Sequence, residues 1–262
     1  VDAEGPKLDF IHCISLDPGH TDDVYINGIQ IIEGNESILH HVLVYVDETG
    51  ASADWPGGVQ ENCDGGAGVQ APIQLVSGWV PGSLPMEPPE GVGIYLPQGA
   101  RLILNVHYHA TGTGPETDDG TGLALRWMDE APEYTSFFNL LGAPGEGEAL
   151  TGALSIPAGA SNHVESYEWT APDFPDGVEA RIWAVANHMH LVGVDMRAWK
   201  VDGDSNEETC LLHTPQWDFN WQRIYEYDAL IEDGMVIRGG DRVRMDCVYD
   251  NTLDNPGVVT AL

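Results

Sequence analysis

Glycine and proline interrupt this sequence too often for long helices to form. There are 31 glycines and 17 prolines in 262 residues, and the apolar stretches between them are short. DVYINGIQII, HHVLVYV, RLILNVHYH, ARIWAVANHMH and RVRMDCVYD are rich in β-branched and aromatic residues and are bounded by Gly, Pro, Asn or Asp. That is the pattern of strands ending in turns. No window carries a helical period of apolar residues. The expected fold class is therefore all-β, of sandwich or jelly-roll type. Strand runs resume on both sides of MDEAPEYT (128–135), which predicts a boundary there and two halves of ordinary domain size, 1–131 and 132–262. The least regular stretches are 53–68, 109–122 and 142–152. Asp118 and Asp119 in the second offer oxygen ligands for calcium, but a plain solvated loop is the simpler expectation.

Charge then narrows the function. Ten Lys and Arg stand against 42 Asp and Glu, a formal net charge of −32. Such a field repels phosphate and argues against nucleic acid or an anionic membrane surface as partner; its plain meaning is solubility. Hydrophobic residues make up 42% of the chain, enough for a full core, so this is not a disordered acidic tail. No run reaches the roughly 18 apolar residues of a membrane span. VDAEGPKLDF has neither a basic start nor an apolar run, so a signal peptide is not expected within it; one could have been removed before Val1.

The four cysteines, Cys13, Cys63, Cys210 and Cys247, form no CxxC pair, which leaves out a zinc ribbon or thioredoxin motif. An even, dispersed set in an acidic β protein suggests disulfides in an oxidising compartment, secreted or periplasmic. The simplest pairing stays within halves, Cys13 with Cys63 and Cys210 with Cys247. Four buried thiols in a reducing compartment are the alternative.

Six of the ten histidines fall in three clusters: His40–His41, His107 with His109, and His188 with His190. Residues two apart in a strand share a face, so the second and third clusters are ready-made chelates. His40 and His41 are neighbours and point to opposite faces of a regular strand. Both reach one metal only if the strand bulges or is just beginning there. Imidazoles on apolar strands are costly to bury without partners, so the pattern points to metal. His12, His20, His163 and His213 stand singly and read as ordinary hydrogen-bonded residues. Imidazole suits zinc, copper, iron and nickel. No carboxylate lies within the clusters and no HExxH is present, so all-imidazole sites in an oxidising compartment favour copper, with two separate sites.

The same segments resemble, in order, the copper type II, ascorbate-dependent monooxygenases, the family of peptidylglycine alpha-hydroxylating monooxygenase and dopamine beta-monooxygenase. FIHCISLD (10–17) resembles the family's opening strand and LHHVLVY (39–45) its paired-histidine motif. GWVPGSLPMEPPEGVGIYL (78–96) and LILNVHYHATG (102–112) resemble its Trp-Ala-Pro-Gly, Pro-Glu-Gly-Val-Gly and His-Tyr segments. ANHMHLVGVDM (186–196) resembles its His-X-His segment, and WDFNWQ (217–222) and GDRVRMDCVYDNT (240–252) its later strands. The resemblance is closer to bacterial-type relatives than to either animal enzyme. It implies two tandem jelly-roll-like β-sandwich domains facing a solvent cleft, each with one copper. His40, His41 and His107 would bind an electron-transfer copper, and His188 and His190 an oxygen-activating one. His109 would support the ligands, and Cys13–Cys63 matches a family disulfide.

Two features depart from the family. Its second copper takes a methionine from an Asp-Glu-Met-Cys segment after the CVYDNT-like strand, whose cysteine would pair with Cys247; the sequence reaches NPGVVTAL without it. Met196, Met235 and Met245 are not in the matching place, so the sequence is a fragment or the second site is incomplete. The family's peptide hydroxylase carries an arginine where this chain has Ala186, so a glycine-terminated peptide is not the expected substrate. The implied activity is hydroxylation of a C–H bond of a small organic substrate with O₂, two coppers and an external reductant such as ascorbate. The competing reading is a secreted, non-catalytic copper-binding protein of the same fold; a zinc protein of other function is a more distant one.

Overall fold

The computed structural model describes residues 9–63, 66–70, 73–112, 114–142, 148–149, 154–219 and 221–257. The chain divides into two units, Val1–Phe138 and Asn139–Leu262. Both are built of strands, with only short 3₁₀ turns as helix among the described residues, so the chain has the all-β sandwich class its punctuation implies.

The first unit contains β1 (Asp9–Leu16), β2 (Val24–Ile32), β3 (Leu39–Asp47), β4 (Val59–Glu61), β5 (Ile73–Trp79), β6 (Val92–Leu96), β7 (Arg101–His109), β8 (Gly122–Trp127) and β9 (Tyr134–Ser136). They form a five-stranded sheet, β4-β1-β7-β3-β5, and a four-stranded sheet, β8-β2-β6-β9. Alternation builds the core. Val42, Val44 and Val46 of β3 and Leu102, Leu104 and Val106 of β7 are at most 1% exposed. Ile26, Ile94 and Leu96 of the other sheet are at most 2% exposed. Each such side chain contributes about 1.5–3 kcal/mol. In β2 the buried positions change parity, from Ile26 to Ile29 and Ile31. A register shift between Ile26 and Gly28 is the cause.

The five-stranded sheet is also covered on its other face, which explains the nearly continuous apolar run RLILNV of β7. Cys13, Tyr45 and Ile103 project there and pack with Cys63, Ala67 and Trp55. Cys63 lies in the segment that sequence alone reads as loop. With the two residues before it, that segment forms two 3₁₀ turns, Ala51–Asp54 and Pro56–Gly58, and the edge strand β4. Three contacts hold it down. Cys13 and Cys63 form a disulfide, the Asn105 side chain donates to the Gly66 carbonyl at 2.6 Å, and the fully buried Asp47 carboxylate accepts from the Ser52 N–H at 2.7 Å. Gly68 has φ +73°, and a Cβ there would lie 3.2 Å from both Cys63 and Trp55, so glycine lets the cover close.

The second unit contains β10 (Glu148–Ala149), β11 (His163–Thr170), β12 (Ala180–Ile182), β13 (Ala184–Ala186), β14 (Gly193–Val201), β15 (Glu208–Thr214), β16 (Ile224–Glu226), β17 (Met235–Ile237) and β18 (Arg242–Tyr249). A five-stranded sheet, β10-β11-β18-β14-β15, accompanies two ribbons, β12-β17 and β13-β16. ARIWAVANHMH is therefore not one strand. Residues 180–182 pair with β17 and 184–186 with β16; the chain changes partner at Trp183, whose carbonyl accepts from the Tyr227 N–H at 2.9 Å. Met189, Met196, Met245, Cys247 and Tyr249 form a core cluster. The expected Cys210–Cys247 pairing is wrong: both thiols are free, Cys210 exposed and Cys247 buried. They sit on β15 and β18, on opposite sides of β14. Two strand spacings of about 4.8 Å exceed the roughly 7 Å reach of a disulfide, and the register offsets them further, Cys210 facing Trp199 and Cys247 facing Met196.

Asp118 hydrogen-bonds within its own loop and to Tyr108 of β7. It accepts from the N–H groups of Gly120 and Thr121 and from the Thr121 hydroxyl. Of the stretch 142–152, all but Gly142 and the backbone of β10 lies outside the described residues.

Candidate metal centres

The first histidine cluster forms at one end of the covered face of the first unit. On β7, His107 and His109 follow Ile103 and Asn105 at two-residue intervals, so they share that face. β1 places Asp9 opposite His109 and Ile11 opposite His107. β3 places His41 opposite His107 and Leu39 opposite Tyr108, with a register shift between Leu39 and His41. His40 is thus the extra residue of a bulge. The bulge is how two neighbours on one strand bring their rings together, where a regular strand would send them apart.

The rings meet at their Nδ1 atoms. His40 Nδ1 is 3.1 Å from His41 Nδ1, and His41 Nδ1 is 3.4 Å from His107 Nδ1. One ring nitrogen from each of the three lies within 4.8 Å of the others, a group able to hold a metal ion. Imidazole–metal bonds are about 2.0–2.1 Å, so donors at these separations suit one ion. Burial holds the His40 pKa below its usual value, aided by His107 and His109 and opposed by Asp9. A neutral ring is the form that ligates.

The His109 ring, on the same face, turns to Asp9 instead of to His40 and His41. Its Nδ1 lies 2.9 Å from Asp9 Oδ1, and the same oxygen lies 2.9 Å from His107 Nε2. Burial works to raise the Asp9 pKa, but the hydrogen bonds from His109 and His107 outweigh it and hold the carboxyl low. The histidine patterns give no hint of Asp9. The only signal for it is β1 pairing with β7, a long-range contact.

The second cluster stands just beyond β13 and before β14. Burial alternates along it: Asn187 and Met189 are buried, His188 and His190 exposed. The two rings are 5.2 Å apart and nearly perpendicular. His188 Nδ1 contacts Gln222 Oε1 at 2.6 Å, so Nδ1 carries the proton and Nε2 is left as the ligand atom. Gln222 is turned by its own bond to the Phe219 carbonyl, and Phe219 lies beside His190. Although His188 keeps solvent contact, desolvation of its ring is the first cause that lowers its pKa, ahead of His190 and against the Gln222 contact that raises it. Met189 anchors the pair from below. A Cβ at Gly193 would lie 2.9 Å from Met189 Cβ, so the glycine of HMHLVG makes room for that anchor. Among the described residues no third His, Cys or carboxylate joins His188 and His190. Met196 and Met245 are buried in the core, and Met235 lies on β17.

The remaining histidines behave as ordinary polar residues. His20 contacts the Pro97 carbonyl, His163 contacts Glu165, His213 contacts Asp195, and His12 meets Tyr108 edge-on. Among the described residues no helix is long and apolar enough to cross a membrane.

Residues 149–260 match the copper type II ascorbate-dependent monooxygenase, C-terminal domain. The chain is 27% identical over 236 residues to DBH-like monooxygenase protein 2 of Mus musculus, covering 86% of this chain and 35% of that protein. It is 24% identical over 238 residues to putative DBH-like monooxygenase protein 2 of Homo sapiens, covering 86% and 44%. The chain thus spans less than half the length of either curated relative. The second unit is thus similar to the C-terminal domain of copper type II ascorbate-dependent monooxygenases, and the chain is similar over most of its length to two DBH-like monooxygenase proteins.

Proposed function

We propose that this chain is a copper-dependent monooxygenase, secreted or periplasmic, that hydroxylates a C–H bond of a small organic substrate using O₂ and an external one-electron reductant such as ascorbate. The observation that carries the reading is the meeting of three Nδ1 atoms across the β3 bulge, in a chain whose second unit matches a copper monooxygenase domain. His40, His41 and His107 would hold one copper, and His188 and His190 the other. When bound, copper supplies O₂ activation and the two electrons that send one oxygen atom into the substrate and the other into water. The protein's part is ligation and orientation. Asp9 and Gln222 fix which ring nitrogen of His107 and His188 carries a proton. The disulfide fits an oxidising compartment.

A second reading is a non-catalytic copper binder of the same fold. It is favoured by the two-imidazole second cluster, with Met196 and Met245 in the core. Copper content and ascorbate-dependent O₂ consumption decide between them. On the monooxygenase reading, wild type loaded with copper consumes O₂ with ascorbate, and both His107→Ala and His188→Ala stop it while each keeps the other copper. On the binder reading, copper is held and reduced, yet O₂ consumption does not depend on His188.

A further inference from the structure

We infer that Asp9 is a positioning residue of the first centre, a carboxylate that fixes the ligand tautomer of His107 and biases the bound copper toward its oxidised state. The inference rests on the copper reading above and extends it to a residue outside the histidine motifs. One oxygen, Oδ1, stands 2.9 Å from both His107 Nε2 and His109 Nδ1. The strand ladder holds this arrangement, because Asp9 pairs with His109 across β1 and β7. With Oδ1 as acceptor, His107 carries its proton on Nε2 and turns the Nδ1 lone pair toward His40 and His41. A carboxylate behind a ligating imidazole also makes that imidazole a stronger donor. Its negative charge favours the doubly charged ion over the singly charged one.

Packing does not require Asp9. Its side chain is 59% exposed, and exposed ion pairs add little to stability. Its effect therefore belongs at the metal and can be read apart from folding. His109 holds the other side of the same oxygen, which gives that exposed histidine a place without making it a ligand.

The test uses the full chain with His188→Ala and His190→Ala, so that only the first centre reports. Asp9→Asn keeps the shape and removes the charge. We expect it to retain copper while the ratio of Cu(II) to Cu(I) affinity falls about tenfold, an upward shift of about 59 mV for a one-electron couple. Asp9→Ala should weaken Cu(II) binding by about 10–100-fold and change the Cu(II) EPR signal, and Asp9→Glu should restore the potential in part. In the metal-free protein, ¹⁵N shifts of the His107 ring should show the proton on Nε2 in wild type and a mixture in Asp9→Ala. Unchanged potential, EPR signal and tautomer in all three variants, with copper bound in the background protein, would overturn the inference and leave the copper reading standing. A background protein that takes no copper at His40, His41 and His107 would overturn both.

Discussion

Removing the Cys13–Cys63 disulfide by the double change Cys13→Ala and Cys63→Ala should cost about 4 kcal/mol without disturbing the first metal cluster. The bond closes a loop with a sequence separation of 50. The chain-entropy relation for a loop of that length gives about 4 kcal/mol at 25 °C, lost because the unfolded chain regains its freedom. The folded segment keeps other ties: the Asn105 bond to the Gly66 carbonyl, the Asp47 bond to Ser52, and Trp55 against the cluster. The cover should therefore stay seated, and the affinity of His40, His41 and His107 for copper should change less than threefold. Urea unfolding followed by tryptophan fluorescence measures the first part. With a slope of about 2 kcal/mol per molar, the midpoint should fall by about 2 M. A loss below about 1 kcal/mol would refute the loop-closure reasoning. A full loss of stability together with a collapse of copper affinity would show instead that the bond shapes the native site. Thiol labelling of the unreduced, denatured wild type should leave Cys13 and Cys63 unmodified.

His107→Ala should lower copper affinity of the first cluster more than 100-fold, while His109→Ala, whose ring contacts Asp9, should stay within tenfold; copper competition titrations decide, and the reverse order would refute the ligand set. Gly193→Ala should destabilise by about 1–3 kcal/mol by forcing Met189 aside, and should lower copper binding at His188 and His190 in the same preparation. Hydrogen bonds hold the Asp47 pKa low against the effect of burial, so its contribution is present above the unfolded value near 4 and disappears as pH falls through the lower folded value. The stability gap between wild type and Asp47→Asn, on the order of 1–3 kcal/mol, should be full at pH 6 and shrink below pH 4 in denaturation curves; a gap that widens in acid would refute the assignment.

Much of the fold is legible because local chemistry and tertiary structure agree. DVYINGIQII, HHVLVYV, RLILNVHYH and RVRMDCVYD become β2, β3, β7 and β18 nearly end to end. Their β-branched residues fit pleated, buried surfaces, and glycine or aspartate closes each run. ARIWAVANHMH fails because a strand needs one partner along its length, and this one has two. Nothing within the eleven residues marks Trp183 as the exchange point, since β16 and β17 come about forty and fifty residues later. The loop reading of 53–68 misses β4 and the cover for the same kind of reason. A three-residue edge strand carries too little pattern to see, and it is held in place by Cys13 and Asn105 from far along the chain.

The metal-binding residues divide along the same line. Spacing alone makes His107 and His109 face one way, and the structure adds that only His107 turns a nitrogen to the cluster while both rings share Asp9. Spacing alone also makes His40 and His41 diverge, so their meeting depends on one inserted residue in the β3–β7 ladder. That bulge has no glycine or other local signature. It is specified by the pairing on either side: Leu39 is buried against Tyr108, and Val42 against Val106, which leaves two residues of β3 to span the place of one. The core thus places the histidines. Sliding β3 by one residue to remove the bulge would turn its valines out of the core along with the rings. The apolar alternation that makes the strand readable therefore also holds the less readable bulge in place.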